Sequence, residues 1–336
     1  MTRTAFWLLP TLMLALTGCG DTKPADTMPS PSPPVPAGGD FKVAVLLTGP
    51  STDGGWNQSA WEGAQRIQKD LGAKIDKQEN LKNSQFEDAF RDFANRGYNV
   101  IFAHGDEFGK TAAKLAPQFP KTVFITTGGD EKPGANLAPI LFATEEGAYL
   151  QGMEAGLVSK TGKGGFVGGQ ELPPVKKAAD AFFAGAKSVN PKFQFKATYI
   201  NGWSDTVAAK AQTEALLNNG ADVLAHNCDA AAKGMFDTAA TKPGVYAFGV
   251  NADENGKAPN VLSSAFLDIP KAFDDIAKSV KDGTFKGEPL MLGLKQGDVR
   301  LIDNPKLTAV VSDAGKAKVK KASDEIAAGT LKVTGS

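Results

Sequence analysis

Five consecutive residues early in the chain could recognise a flat, polar ring. Asp53, Gly54, Gly55, Trp56 and Asn57 follow a predicted strand and precede a predicted helix. The two glycines permit backbone angles that bulky residues resist, so the loop can present Trp56 between two hydrogen-bonding side chains. An indole face stacks on a heterocycle while Asp53 and Asn57 read its edge. The pattern fits equally a tryptophan that plugs the core, with Asp53 and Asn57 as turn and helix-cap residues.

A second tryptophan occupies a comparable position later in the chain. Trp203 follows Gly202, after the predicted strand 193–200 and before the predicted helix 207–217. Two loops from different α/β units would then each present a tryptophan at a strand end. Such a pair favours a cleft that holds an aromatic ligand between two rings.

The enzyme motifs that compete with this interpretation fail on spacing or context. No Gly-x-Gly-x-x-Gly follows a strand, and the glycine-rich segment after His104 is one residue short of a phosphate-binding loop. Asp106 and Glu107 would also repel phosphates there. Cys228 lies two residues after His226, but a buried free cysteine is usually a small hydrophobic residue. We therefore predict no catalysis, no cofactor and no metal site.

The elements that position these residues alternate between strand and helix. The 336 residues suffice for two medium domains, and the balance of 37 Lys+Arg against 37 Asp+Glu argues against nucleic-acid binding. Strand–helix alternation predicts two α/β, doubly wound, Rossmann-like units with parallel sheets and a ligand cleft at the carboxyl ends of the strands. The strands predicted for the first unit are 41–47, 74–78, 98–103 and 122–127, and those for the second are 165–168, 193–200, 222–225 and 244–250. Two further strands are predicted near 261–265 and 290–294.

The first 40 residues have the features of an export signal followed by a spacer. An apolar run at 6–16 is too short to span a bilayer and ends in Leu16, Thr17, Gly18 and Cys19. This tetrad resembles the bacterial lipobox, whose cysteine is lipidated and becomes the N-terminus. We predict a lipoprotein signal peptide at 1–18 and a lipidated, for example palmitoylated, Cys19 that begins a proline-rich tether at 19–40. The alternative is an ordinary signal peptide cut near Gly18.

The segment from Asp53 to Gly63 resembles the Asp-x-Ser-Phe/Trp-Asn-Gln signature of the basic membrane protein family. These are lipid-anchored solute-binding receptors of ABC importers, among them purine nucleoside receptors. Segments 146–152, 165–169, 184–191 and 220–223 follow in the family's order. The resemblance implies a type I periplasmic-binding-protein fold at 41–336, with a hinge and an interlobe ligand cleft. Lobe 1 is expected at about 41–145 plus 262–290, and lobe 2 at about 146–261 plus the C-terminal segment.

The resemblance also assigns ligand-binding positions in both lobes. Trp56 and Trp203 match the base-stacking positions, and Asp53 and Asn57 match the base-edge positions. Pocket-lining positions after strands are also implied, and these are His104, Asp106 and Asn227. A satisfied loop histidine is the alternative for His104.

Three residues depart from the family's ribose-reading pattern. Asn251 stands where an Asp would bind the ribose, Glu254 stands where a Gln is usual, and Leu267 stands where a Lys would reach the sugar. Lys271, one helical turn further on, is the residue that could replace that lysine. We therefore expect base recognition to be retained and ribose recognition, with Asn251 as a remaining contact, to be weaker.

The function implied by the resemblance is solute capture outside the cytoplasm. We expect a monomeric receptor, lipid-anchored at the periplasmic or cell-surface face of the cell membrane, which passes a purine nucleoside or base to an ABC permease. One alternative is a receptor for another small planar or polar solute. The other is a sensory or surface lipoprotein without an import role.

Overall fold

The computed structural model describes residues 40–333. The predicted signal peptide, Cys19 and all but the last residue of the predicted tether lie outside the described residues. The strands are β1 Lys42–Leu47, β2 Lys74–Gln78, β3 Val100–His104, β4 Val123–Thr127, β5 Leu137–Phe142, β6 Lys163–Gly168, β7 Gln194–Tyr199, β8 Val223–Asn227, β9 Tyr246–Asn251, β10 Val261–Leu267, β11 Leu290–Leu292 and β12 Val299–Asp303. The α-helices are α1 Trp56–Leu71, α2 Phe86–Asn95, α3 Gly109–Leu115, α4 Thr144–Val158, α5 Pro173–Val189, α6 Thr206–Asn218, α7 Ala232–Ala240, α8 Ile269–Lys281 and α9 Asp313–Ala327.

The strands form two six-stranded sheets, each with helices on both faces. The first sheet has the order β11-β5-β4-β3-β1-β2 and is parallel throughout. The second has the order β12-β10-β9-β8-β6-β7, with only the β10–β12 pair antiparallel. These two sheets confirm the predicted pair of doubly wound α/β units.

The first strand shows why its sequence makes a central parallel strand. Val43, Val45 and Leu47 face the core beneath α1 and α8, whereas Ala44 and Leu46 face the core beneath α2 and α3. Side chains alternate between the two faces of a strand, and helices cover both faces of this sheet. A strand buried on both sides is therefore an uninterrupted apolar run.

Two strands, β5 and β12, were not predicted from the sequence. Pro139 lies inside β5 and has no backbone N–H to donate to a ladder, so the local sequence is unfavourable for a strand there. β12 is an edge strand that alternates polar and apolar residues, and it pairs antiparallel to its neighbour. Its partner among the described strands, β10, is separated from it by more than 30 residues of chain, so the local sequence carried little sign of the pairing.

The chain passes between the sheets in three segments within residues 40–333. These lie between β5 and α4, between β10 and α8, and between β11 and β12. Because β10 pairs with β9 and β12, residues 262–267 belong to the second sheet, not to lobe 1 as expected. The return to the first lobe begins at α8, whose apolar face packs against α1 and the first sheet.

Hydrogen bonds tie the crossing segments together. A Glu146 carboxylate oxygen accepts from the backbone N–H of Leu294 at 2.7 Å, and the N–H of Asp268 donates to the carbonyl of Asp298 at 2.7 Å. The Lys271 ammonium also donates to Asp298, at 3.1 Å. Motion of one lobe must therefore bend these segments together. Among residues 40–333, no helix combines the length and apolarity needed to cross a bilayer.

Candidate functional site

The loop between β1 and α1 is shaped by the Asp53 carboxylate. One Asp53 oxygen accepts from the backbone N–H groups of Gly55 at 2.9 Å and Gln58 at 3.0 Å. The other accepts from the backbone N–H of Asn57 at 3.0 Å and from its side-chain amide at 2.8 Å. These four bonds match the roughly four acceptor sites of a carboxylate. Asp53 therefore caps the start of α1 in this conformation and has no oxygen free to read a ligand.

Asn57 is held by the same loop. Its amide nitrogen donates to Asp53, and its carbonyl oxygen accepts from the backbone N–H of Gly49 at 3.3 Å. The side chain is buried, and any side chain at Gly49 would collide with it. The structure thus brings Asp53 and Asn57 together as predicted but directs both toward the loop. Their base-edge role stays a prediction that would require this loop to rearrange.

Trp56 forms an aromatic platform on top of His104. The two ring centroids are 3.9 Å apart with an interplanar angle of 27°. His104 Nε2 lies 3.1 Å from the Trp56 carbonyl oxygen, so this nitrogen carries the proton and donates. Nδ1 therefore accepts from the Thr127 hydroxyl at 2.9 Å. Trp56 itself is half-buried, so one ring face is covered by His104 while part of the ring stays accessible.

His104 is not on the surface of the cleft. Its exposed fraction is 0%, and both ring nitrogens have protein partners. Burial lowers its pKa to about 3, so the ring is neutral at physiological pH. In this conformation the prediction of a ligand-binding His104 is not met, because the residue supports Trp56 from below. This arrangement agrees with the alternative of a satisfied histidine.

Trp203 and Asn227 lie at the carboxyl end of the second sheet. Any side chain at Gly169, directly after β6, would collide with the Trp203 ring, so the indole rests on bare backbone. The N–H of Gly169 donates to the Asn227 carbonyl at 2.8 Å, which places Asn227 beside the same turn. Trp203 is half-buried, as Trp56 is, so each lobe holds a partly accessible tryptophan at a strand end.

A short 3-10 turn, Asp229–Ala231, links the two tryptophan loops. The N–H of Ala231 donates to the Trp203 carbonyl at 3.1 Å. Asp229 Oδ1 lies 3.9 Å from the position that a Cβ on Gly55 would take, next to Trp56. The second lobe therefore meets the first at the turn that carries the platform.

A cavity of about 350 Å³ opens at this meeting point, within the ~300–1,000 Å³ range of small-molecule sites. Lys257 Nζ lies 3.1 Å from the position of a Cβ on Gly54, so a larger residue would crowd this cation. The cavity is lined by Asp53, Gly54, Asp229, Ala230, Ala232, Lys233, Phe236, Asp237, Glu254 and Lys257.

The remaining predicted site residues lie at strand ends. Asp106 follows β3 and packs beside Gly128. A Cβ placed on Gly128 would lie 3.1 Å from the Cβ of Asp106. The adjacent Glu107 has a pKa raised to about 7, chiefly by burial and then by the neighbouring Asp106. Asn251 ends β9 with φ of 67°, a left-handed conformation that asparagine tolerates better than most residues. It is 5% exposed, so little of it faces solvent in this conformation.

Sequence reasoning did not single out Asp229, and it read Glu254 only as a departure from the family pattern. Glu254 is buried, and its carboxylate accepts from His226 Nε2 at 2.8 Å and from the N–H of Val250 at 3.0 Å. Asp229 comes two residues after Asn227, and its place directly after a strand was the available signal. Nothing local showed that it would face the other lobe.

The Cys228 thiol lies 3.9 Å from His226 Nδ1, which superficially suggests a nucleophile and its base. However, Cys228 is fully buried, and burial raises the pKa of its thiol well above the usual range. The thiolate is the reactive form of cysteine, so this group is poorly suited to attack a substrate. No cluster of potential ligands for a metal ion occurs in the part of the chain that the structure describes.

The structure also locates the two residues expected near a sugar. Leu267 belongs to a strand of the second sheet, but its side chain is 1% exposed and packs in the apolar cluster formed mainly by the first sheet and helices α1 and α8. The Lys271 ammonium is engaged by Asp275 at 2.8 Å and by Asp298 at 3.1 Å. Neither side chain is free for a ligand in this conformation.

Comparison with known proteins gives concordant results. The family model "ABC transporter substrate-binding protein PnrA-like" matches residues 41–334. Basic membrane protein A1 of Borrelia garinii subsp. bavariensis is 31% identical, over 79% of this chain and 81% of its own length. A purine-binding protein of Brucella abortus is 28% identical, over 78% and 75%.

Solved structures show the same fold. A solute-binding protein of an ABC transporter system from Aeropyrum pernix superposes with a TM-score of 0.79 at 22% identity, covering 87% of this chain and 92% of that one. Its counterpart from Conexibacter woesei has a TM-score of 0.72 at 28% identity, covering 88% and 99%. The predicted type I periplasmic-binding-protein fold is therefore confirmed.

Proposed function

Because the chain belongs to the family of PnrA-like ABC transporter substrate-binding proteins, we propose that it captures a purine nucleoside or a purine base between its two lobes. Membership confirms the resemblance found in the sequence, and it identifies a solute-binding protein of an ABC transporter system. Its family consists of binding proteins rather than enzymes. The name of the Brucella relative supports purine as the ligand class.

The observation that carries the proposal is the Trp56 platform. A buried, neutral His104 stacks under one face of the indole at 3.9 Å and fixes its orientation through the Trp56 carbonyl. A half-buried ring held in this way loses little further freedom when a planar ligand stacks on it. Trp203 offers a second ring at the equivalent strand edge of the other lobe, and the turn at 229–231 connects both loops.

Stacking on tryptophan supplies a large share of the affinity that such a receptor needs. One base–aromatic contact contributes ~1–3 kcal/mol, and a micromolar dissociation constant corresponds to about 8 kcal/mol. Two rings would thus provide roughly 2–6 kcal/mol. Hydrogen bonds to the base edge and to the rest of the ligand would supply the remainder.

We further propose that the receptor is anchored through Cys19 and delivers its ligand to an ABC permease. The support for the anchor is the tetrad Leu16, Thr17, Gly18 and Cys19 followed by the proline-rich segment. Delivery is supported by the family, whose members serve ABC transporters.

Native mass spectrometry of the purified protein tests ligand identity most directly. We expect an added mass of a purine nucleoside or base that is lost on denaturation. Titration of the stripped protein with guanosine, guanine, adenosine and adenine should then give saturable heat. Trp203→Ala should weaken binding by about tenfold or more. Binding of none of the four compounds would refute the purine assignment while leaving the solute-binding fold intact.

A further inference from the structure

Asp229 is the carboxylate of the interlobe cavity that lacks a partner. Its oxygens have no hydrogen bond or ion pair within residues 40–333. By contrast, Asp53 is saturated by its own loop, Glu254 accepts from His226, and Asp237 pairs with Lys233 at 2.5 Å. A ligand in this cavity therefore finds one carboxylate whose acceptors are not already used.

The backbone holds this carboxylate at the junction of the lobes. Asp229 has φ of 46°, a left-handed conformation that is costly for most residues but tolerated by Asp, Asn and Gly. Its Oδ1 lies next to Gly55, the residue before the Trp56 platform. A ring stacked beside Trp56 would thus have its edge within the region that Asp229 faces.

We propose that Asp229 selects the hydrogen-bonding edge of the bound base. As a carboxylate it presents two acceptors and fits a ligand with two adjacent N–H donors, such as the ring N–H and exocyclic amino group of guanine. Adenine presents an acceptor next to a donor on the corresponding edge, and two acceptors match only one of these. This inference rests on the proposed purine-binding function and names the residue that sets its specificity.

The charges around Asp229 make this selection depend on pH. The groups that face it are Asp53 on the β1–α1 loop, Glu107 after β3, His226 on β8, Glu254 after β9, and the cavity-lining Lys233, Asp237 and Lys257. Burial, and then the nearby Asp53, raise the pKa of Asp229 to about 7. Once protonated, the group becomes a donor beside an acceptor, which matches the adenine edge. The preference for guanine should therefore be strong above this pKa and should shrink below it.

The test is a calorimetric comparison of guanine and adenine on the stripped full-length protein at about pH 8 and about pH 6. At the higher pH we expect guanine to bind about tenfold or more tightly than adenine, because charge-assisted hydrogen bonds are the stronger kind. The ratio should fall severalfold at the lower pH, since neither base titrates between these values. Asp229→Asn presents a donor beside an acceptor at every pH, so it should abolish the guanine preference or turn it toward adenine, and it should remove the dependence on pH.

Two further variants separate base selection by Asp229 from a general effect of removing one negative charge. Asp229→Gly tolerates the left-handed conformation, so it should fold and should likewise lose the preference. Asp180→Asn removes a carboxylate on α5 that is paired with Lys176 and does not line the cavity, and it should leave the ratio unchanged.

An unchanged ratio in Asp229→Asn would overturn the inference, and purine binding by the same sample would show that the proposed function survives. An equal change in Asp180→Asn would overturn it as well, since only net charge would then matter. If the wild-type protein bound neither base nor the corresponding nucleosides, the purine function would fail and the role of Asp229 with it.

Discussion

Replacing Trp56 with alanine should weaken ligand binding, whereas replacing a matched tryptophan away from the site should lower only the stability of the fold. Trp56 has His104 on one face, so the ligand gains one ring face, worth ~1–3 kcal/mol. At about 1.4 kcal/mol per decade, the dissociation constant should rise about 5-fold to 150-fold. Because the ring is half-buried against the core, stability should fall by roughly 2 kcal/mol, about half the cost of truncating a fully buried aromatic residue.

Trp61 provides the matched control. It lies on the same helix, is half-buried and packs on the same core, but its ring is capped by Lys77 Nζ at 4.9 Å instead of lying at a strand end. Trp61→Ala should therefore lower stability by a similar amount and leave affinity unchanged. Calorimetry gives the affinities, and chemical denaturation gives the free energies of unfolding. An unchanged affinity in Trp56→Ala, or an equal loss in both variants, would refute the stacking argument.

Three other predictions follow from particular residues. Burial raises the pKa of Glu154 from 4.5 to about 8, so wild-type stability should fall as the pH rises through this window, by up to about 1.4 kcal/mol per pH unit. Glu154→Gln, which can still accept from Ser263, should remove that slope in denaturation curves; a slope that persists would show that other groups cause it. Cys19→Ala should leave the protein without lipid, and mass spectrometry that finds diacylglycerol on the variant would contradict the anchor. Since the family resemblance places Asn251 and Leu267 at the positions of an Asp–Lys pair, we predict that free bases compete with nucleosides on near-equal or better terms, whereas a hundredfold preference for nucleosides in titrations would show that another residue binds ribose.

The sequence determined the fold class because each local pattern agreed with it. Apolar runs such as Val43 to Leu47, separated by amphipathic helices, are compatible with few arrangements other than parallel sheets covered on both faces. Parallel sheets place the carboxyl ends of their strands at one edge. The positions of Trp56 and Trp203 at this edge were therefore predictable.

What each polar side chain does was decided only by the tertiary structure. A sequence states that Asp53 and Asn57 are near a tryptophan, but it does not state whether their acceptors remain free once the loop has closed on itself. His104 could face the cleft or the core, and the choice depends on Thr127 and on the carbonyl of Trp56, which arrive from other elements. Local spacing does not encode these contacts.

The same reason explains why Asp229 was missed and why β10 was placed in the wrong lobe. Asp229 matters because the first lobe brings Gly55 close to it, and β10 belongs to the second sheet because β9 and β12 pair with it. Hydrophobic periodicity records whether a residue is buried, which is a property of its own element. Partners across a cleft or a sheet are set by the packing of distant segments, and only the folded chain brings those segments together.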